Sequence, residues 1–120
     1  MDIREGKLFS IEDSDIDTEG VCVIPFSVTE IGDNVFFQNQ NLKKVVLPTG
    51  LRYIGVNAFA GCSKLEEATF PASLERIRER AFASCVSLKD VNIPEKIKSI
   101  GEHAFYCCFN SNIDPRYLRF

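Results

Sequence analysis

His103 and Cys107 come closest in this chain to a reactive pairing. An imidazole beside a thiol can withdraw its proton and make it a nucleophile, and residues four apart meet on one helical turn. His103 is the only histidine, however, and nothing nearby in the sequence supplies a third group to orient the pair. The five cysteines, Cys22, Cys62, Cys85, Cys107 and Cys108, are an odd number with no leader segment before them, which argues against a disulfide framework. Cys-x-x-Cys spacing is missing and one histidine is too few for a zinc site, so no metal is expected. The sequence holds no phosphate-binding loop, dinucleotide fingerprint or nucleophile elbow, so no cofactor is expected either. Glu66 and Glu67 are adjacent carboxylates with no implied pocket. Arg76, Arg78, Glu79 and Arg80 form a mixed-charge stretch that reads as a solvated bend. The expectation is a chain that is not an enzyme. A cysteine-dependent activity using Cys107 and His103 is the alternative.

The bulk properties narrow the partners. A net charge of −3 and a pI near 5.2 leave no basic footprint for nucleic acid. No apolar run reaches the length of a membrane span or a leader core, so no membrane association is expected. Composition points to one ordered domain, 45% hydrophobic and 26% charged. A cytoplasmic location follows as the expectation, with a secreted or cell-surface location as the alternative if these residues are cut from a longer precursor.

What would have to position any site is a repeat. Pro25, Pro48, Pro71 and Pro94 are spaced 23 residues apart. The same step carries Ile31 to Ile54, Ile77 and Ile100, and Phe36 to Phe59, Phe82 and Phe105. Val28, Leu51, Leu74 and Ile97 form another column, as do Val35, Ala58, Ala81 and Ala104. Leu42, Leu65 and Leu88 continue the series, with Val45, Ala68 and Val91. Gly32, Gly55 and Gly101 share a column that Arg78 interrupts. Within one unit, Ala68 and Phe70 alternate with Glu67 and Thr69, the period of a strand with one buried face. The proline that follows cannot donate to a ladder and ends the strand. The glycine column suits a bend needing positive φ. The Ala-Phe-x-x-Cys stretch reads as a short helical turn returning an aromatic ring to the core. A lone coil cannot bury these side chains, but stacked coils can, each apolar column lying over its copy. Cys62, Cys85 and Cys108 then become a file of small buried thiols, Cys22 takes a core strand position equivalent to Val45, and Cys107 and His103 face outward.

The unit Leu-x-x-Ala-x-Phe-Pro-x-x-Leu-x-x-Ile-x-x-x-Ala-Phe-x-x-Cys at residues 65–85 closely resembles the BspA-like, treponemal type of leucine-rich repeat. The resemblance covers residues 21–109. It implies an α/β, mainly β, right-handed solenoid of four 23-residue coils, with a parallel sheet on the concave face and short helical turns elsewhere. It also implies a protein-binding role or, alternatively, a surface adhesin or host-contact fragment. Glu19, Asn39 and Arg78 depart from the pattern, standing where leucine, cysteine and glycine belong.

Residues 1–20 lie outside the repeat and read as an N-terminal cap, a β-hairpin whose acidic stretch from Glu12 to Glu19 discourages edge pairing. Residues 110–120 end the stack, with Ile113, Tyr117, Leu118 and Phe120 folding over the last coil as a cap or docking on another chain. Monomer and homodimer through an end cap both remain open. In such a stack the outward strand residues are free for recognition. They form two columns, Val21, Lys44, Glu67 and Asp90, and Val23, Val46, Thr69 and Asn92. With Phe26 at the strand end, these nine residues are the candidate surface for a protein partner, apolar with a lysine at one end and acidic and polar at the other.

Overall fold

Each proline of the 23-residue series opens a turn in which the residue three later donates back to it, as Leu51 does to Pro48 and Leu74 to Pro71, and the first three follow a short strand. The chain then enters a second short strand, turns again, and arrives one coil further on. In this computed structural model, which describes residues 1–109 and 111–117, four such coils stack into a solenoid. The first strands are β3 (Val21–Val23), β5 (Lys44–Val46) and β7 (Glu67–Ala68), which pair in parallel as one sheet. The second strands are β4 (Glu30–Ile31), β6 (Tyr53–Ile54), β8 (Arg76–Ile77) and β9 (Ser99–Ile100). They build a second sheet, joined at its N-terminal edge by the hairpin β1 (Asp2–Arg4) and β2 (Lys7–Ser10), in the order β1-β2-β4-β6-β8-β9. The repeat period is the sheet register: Ile31 faces Ile54, Ile54 faces Ile77 and Ile77 faces Ile100.

The core lies between the two sheets and is filled by the columns seen in the sequence. Phe36, Phe59, Phe82 and Phe105 are fully buried in single file. Their ring centroids are 4.8, 4.9 and 5.5 Å apart and the planes tilt by 7° or less. The first two separations match the ~4.8 Å strand spacing of a sheet, so the coil rise itself sets the stack. Phe70 adds a tilted ring 5.3 Å from Phe82.

Four local expectations change. The Ala-Phe-x-x-Cys stretch is not a helical turn. It carries left-handed residues at Asn34, Asn57, Arg80 and His103 and again at Gln38, Gly61, Ser84 and Cys107, which no helix tolerates. Alternate N–H groups there donate to the next coil, as Phe36 does to the Ala58 carbonyl (2.7 Å), Phe59 to Ala81 (2.7 Å) and Phe82 to Ala104 (2.7 Å). The glycine column, in turn, does not serve positive φ. A methyl group on Gly101 would lie 2.4 Å from the Glu79 nitrogen and one on Gly55 2.7 Å from the Gly32 carbonyl carbon. Close backbone approach between coils is what excludes a side chain. Arg78 occupies the same column, and the structure does not explain how.

The N-terminal hairpin turns through Glu5 (φ 49°) and Gly6 (φ 81°), the paired positive φ of a type I′ turn. Its second strand does share the repeat register, since Leu8 lies one period before Ile31 and pairs with it. The fourth coil, finally, has no first strand. Asp90 adopts a φ of 45° and residues 90–92 leave the ladder, because Asp and Asn suit a pleated strand poorly. At the C-terminal end, Ile113 is buried and Tyr117 is half-buried against the core. Leu118 and Phe120 lie outside the described residues.

Candidate functional site

The candidate surface is the outer side of the β3–β5–β7 sheet. Strand alternation sends Cys22, Val45 and Ala68 into the core and their neighbours outward. Val23 faces Val46 across the ladder, 61% and 39% exposed. Phe26, just past the proline, is 89% exposed. These three form the apolar part of the surface. Val21, Lys44 and Glu67 share the other outward column, where Val21 is half-buried. Lys44 Nζ lies 3.0 Å from Glu67 Oε2, so the lysine is not a free cation but half of an exposed ion pair. Such a pair is worth little to stability, ~0–1 kcal/mol.

The columns do not run the full length. Thr69 is exposed but lies one residue beyond the end of β7, and Asp90 and Asn92 are exposed on a coil that has left the sheet. Seven of the nine residues therefore sit on or beside a three-stranded sheet, and the two on the fourth coil are separated from it. Several exposed rings escaped the sequence reading: Phe9, Phe37, Tyr106 and Phe109, the last 77% exposed. Phe109 shares its repeat position with Gln40, Ser63 and Val86, a column with no core role, and that was its signal.

The reactive-pair alternative finds no support in the geometry. His103 and Cys107 are both half-buried, and each occupies a left-handed position. The stretch between them is not helical, and the His103 ring packs edge-on against Tyr106 at 5.3 Å. Among the described residues no three His, Cys, Asp or Glu side chains are arranged to hold a metal ion.

The other cysteines do more than fill space. Cys62 Sγ donates to the Phe36 carbonyl (3.0 Å), Cys85 Sγ to that of Phe59 (3.0 Å) and Cys108 Sγ to that of Phe82 (3.1 Å). Each thiol thus ties its own coil to the phenylalanine of the coil before. Burial pushes the thiols of Cys62 and Cys108 up to about 12 and that of Cys22 to about 11, and Cys85 is driven up by the same cause. All four are protonated at neutral pH, and Cys62, Cys85 and Cys108 act as donors. Asn39, at the cysteine position of the first coil, has no preceding phenylalanine in register. Its Oδ1 accepts from the Asn41 and Leu42 N–H groups instead.

Charge follows the same period. Lys7 pairs with Glu30 (3.6 Å), Glu66 with Lys89 (3.2 Å), and Glu75 with both Arg52 (2.6 Å) and Lys98 (3.0 Å), every pair 23 residues apart. Hydrogen bonds from Arg52 and then Lys98 hold the Glu75 carboxyl near 2.

A family model for the BspA type leucine rich repeat region matches residues 20–114. The chain belongs to the BspA-type leucine-rich-repeat family. Among solved structures, the leucine-rich repeat protein of T. pallidum is 35% identical with a TM-score of 0.72, over 74% of this chain and 44% of that one. One from Bacteroides capillosus is 29% identical with a TM-score of 0.71, over 78% of this chain and 74% of its own. The pneumococcal vaccine antigen PcpA is 32% identical with a TM-score of 0.77, over 86% of this chain but only 25% of PcpA. This BspA-type chain therefore spans less than half of the T. pallidum protein and a quarter of PcpA. No functionally curated protein matches the sequence. Among the described residues no helix is long and apolar enough to cross a membrane.

Proposed function

We propose that this BspA-type chain is a non-enzymatic protein-interaction module that takes its partner on the outer side of the β3–β5–β7 sheet. The observation that carries the reading is the exposure of Val23 and Val46, paired on strands whose other face is locked into the core, with Phe26 exposed a few residues past the end of β3. A rigid sheet presenting apolar side chains beside an ion pair, Lys44–Glu67, has the make-up of an interface centre with a polar rim. Val21 and Thr69 extend this footprint, and Asp90 and Asn92 serve only a partner that reaches past the sheet edge.

The test is affinity capture from the source organism, with partners identified by mass spectrometry, using wild type, Val46→Asp and Phe26→Ser. Loss of the same partner from both variants at an unchanged melting temperature supports the reading. Capture by both variants at the wild-type level overturns it. The thiol ladder, which works only in the reduced form, favours a reducing compartment such as the cytoplasm. The similarity to a pneumococcal vaccine antigen favours a second reading, contact at a cell surface. Fractionation of the source cells with an antibody to the chain separates the two locations.

A further inference from the structure

The first sheet frays towards its C-terminal edge. Its registered pairs fall from three between β3 and β5 to two between β5 and β7, and β7 pairs with nothing beyond. The fourth coil is still tied at Lys89, which donates to the Glu66 carbonyl (3.0 Å). Asp90 then enters the left-handed region, and among the described residues no backbone bond joins residues 90–93 to the third coil. The first coil shows what is lost. There Ile24 donates to the Val46 carbonyl of the next coil (3.0 Å). Phe70 stands two periods after Ile24, and Asn92 two periods after Val46. The Phe70–Asn92 bond is not made, although Phe70 is buried. Where the coils part lies a cleft of about 440 Å³, walled by Phe70 and Ala72 of the third coil and by Ile93 and Pro94 of the fourth. Asn92 lines it too.

We propose that this cleft takes an apolar side chain of a partner protein together with the peptide unit that carries it. The walls supply the apolar part of the fit, since Phe70, Ala72, Ile93 and Pro94 are what an aliphatic group packs against. The unmade bond supplies the polar part. It leaves a donor at Phe70 and an acceptor at Asn92, and backbone groups in a buried setting need partners. A peptide carries an acceptor and a donor side by side, so its carbonyl takes the Phe70 N–H and its N–H reaches the Asn92 carbonyl. An apolar molecule without an amide fills the walls but leaves both backbone groups unmet. Thr69 and Asn92 belong to the outward column of Val23 and Val46, so the cleft prolongs the surface proposed above and rests on that reading for its partner.

The test is an NMR titration of the full chain with three probes: acetyl-Ser-Leu-Ser-amide, acetyl-Ser-Gln-Ser-amide and isobutanol. The leucine peptide shifts the amide signals of Phe70 and Asn92 saturably. It binds about tenfold more tightly than the glutamine peptide, the difference one buried apolar side chain makes. It also binds about tenfold more tightly than isobutanol, which has the branched chain but no amide. Ala72→Leu, growing into the cleft from an exposed position, loses about tenfold for the leucine peptide, and Val46→Asp binds it as wild type does. No saturable shift at Phe70 and Asn92, equal binding of either other probe, or wild-type affinity in Ala72→Leu would each overturn the proposal. The comparison of probes on wild type decides even if Ala72→Leu folds poorly. Peptide binding in a chain whose natural partner survives Val46→Asp supports the cleft and removes the Val23–Val46 surface. Loss of that partner in Val46→Asp without any peptide binding removes the cleft alone.

Discussion

Alkali should unfold this protein through its buried thiols. Cys62, with its thiol raised to about 12 in the folded chain against 9.0 in the open one, stays protonated when folded but ionises once exposed. Its contribution is fully present below pH 9.0 and is lost as pH rises towards 12. Near pH 10 the unfolded chain gains roughly 1–2 kcal/mol from this one thiol, from RT ln 10 per unit of pKa difference. Cys108 and Cys22 follow with thiols near 12 and 11, and Cys85 is raised in the same sense. Together the four remove roughly 5–6 kcal/mol near pH 10, a large part of the ~5–15 kcal/mol that holds a domain folded. The assay is urea unfolding by circular dichroism, under reductant, near pH 7.5 and again near pH 10. Alkali acts on the rest of the chain in both proteins alike, so the decisive quantity is the difference between wild type and Cys62→Ala. The variant is weaker at neutral pH because it loses a buried thiol and its bond to Phe36. It should nevertheless lose roughly 1–2 kcal/mol less than wild type on going to the alkaline condition. An identical alkaline loss in both proteins would refute the reasoning, as would a wild type equally stable at both values.

Other perturbations test the stacking. Gly101→Ala forces a methyl group against the Glu79 backbone and should cost ~1–3 kcal/mol, while Gly50→Ala, facing open space, should be near neutral in the same thermal melts. Phe59→Ala empties the middle of the ring file and should cost ~3–5 kcal/mol, read from urea midpoints; a loss below ~1 kcal/mol would mean the stack is not continuous. Glu75 has a carboxyl held below its unfolded value, so its contribution is present above about pH 4.5 and is lost as pH falls towards 2. Glu75→Gln should flatten the acid limb of the melting-temperature profile in that window, and an unchanged limb would show that the Arg52–Glu75–Lys98 bridge contributes nothing.

The architecture was readable because each core column had to repeat at the coil length, and a period shared by Pro48, Ile54 and Phe59 leaves only stacking as the way to bury them. The link regions were harder. A run such as Asn57-Ala58-Phe59 has apolar spacing that suits a helix, but the spacing says nothing about backbone handedness. Asparagine at two of the four left-handed positions was the available sign. Leu8 sat one period before Ile31 and still escaped notice, because the rest of residues 1–20 lacks the columns that would have confirmed it. In the candidate surface, the outward residues of β3, β5 and β7 were legible from strand alternation. The Lys44–Glu67 pair and the loss of Asp90 and Asn92 were not, since both depend on how neighbouring coils meet.

One further consequence concerns length. In the turn ladder every bond runs the same way, each coil giving its protons to the carbonyls of the coil that follows. The thiols run the opposite way, each reaching back one course to the phenylalanine carbonyl beneath. A unit excised or duplicated at matching points would leave both kinds of tie intact across the seam. Nothing in the cross-section records how tall the column is, so evolution can lengthen or shorten such a protein in whole storeys. Relatives of very different size can then share the same few coils.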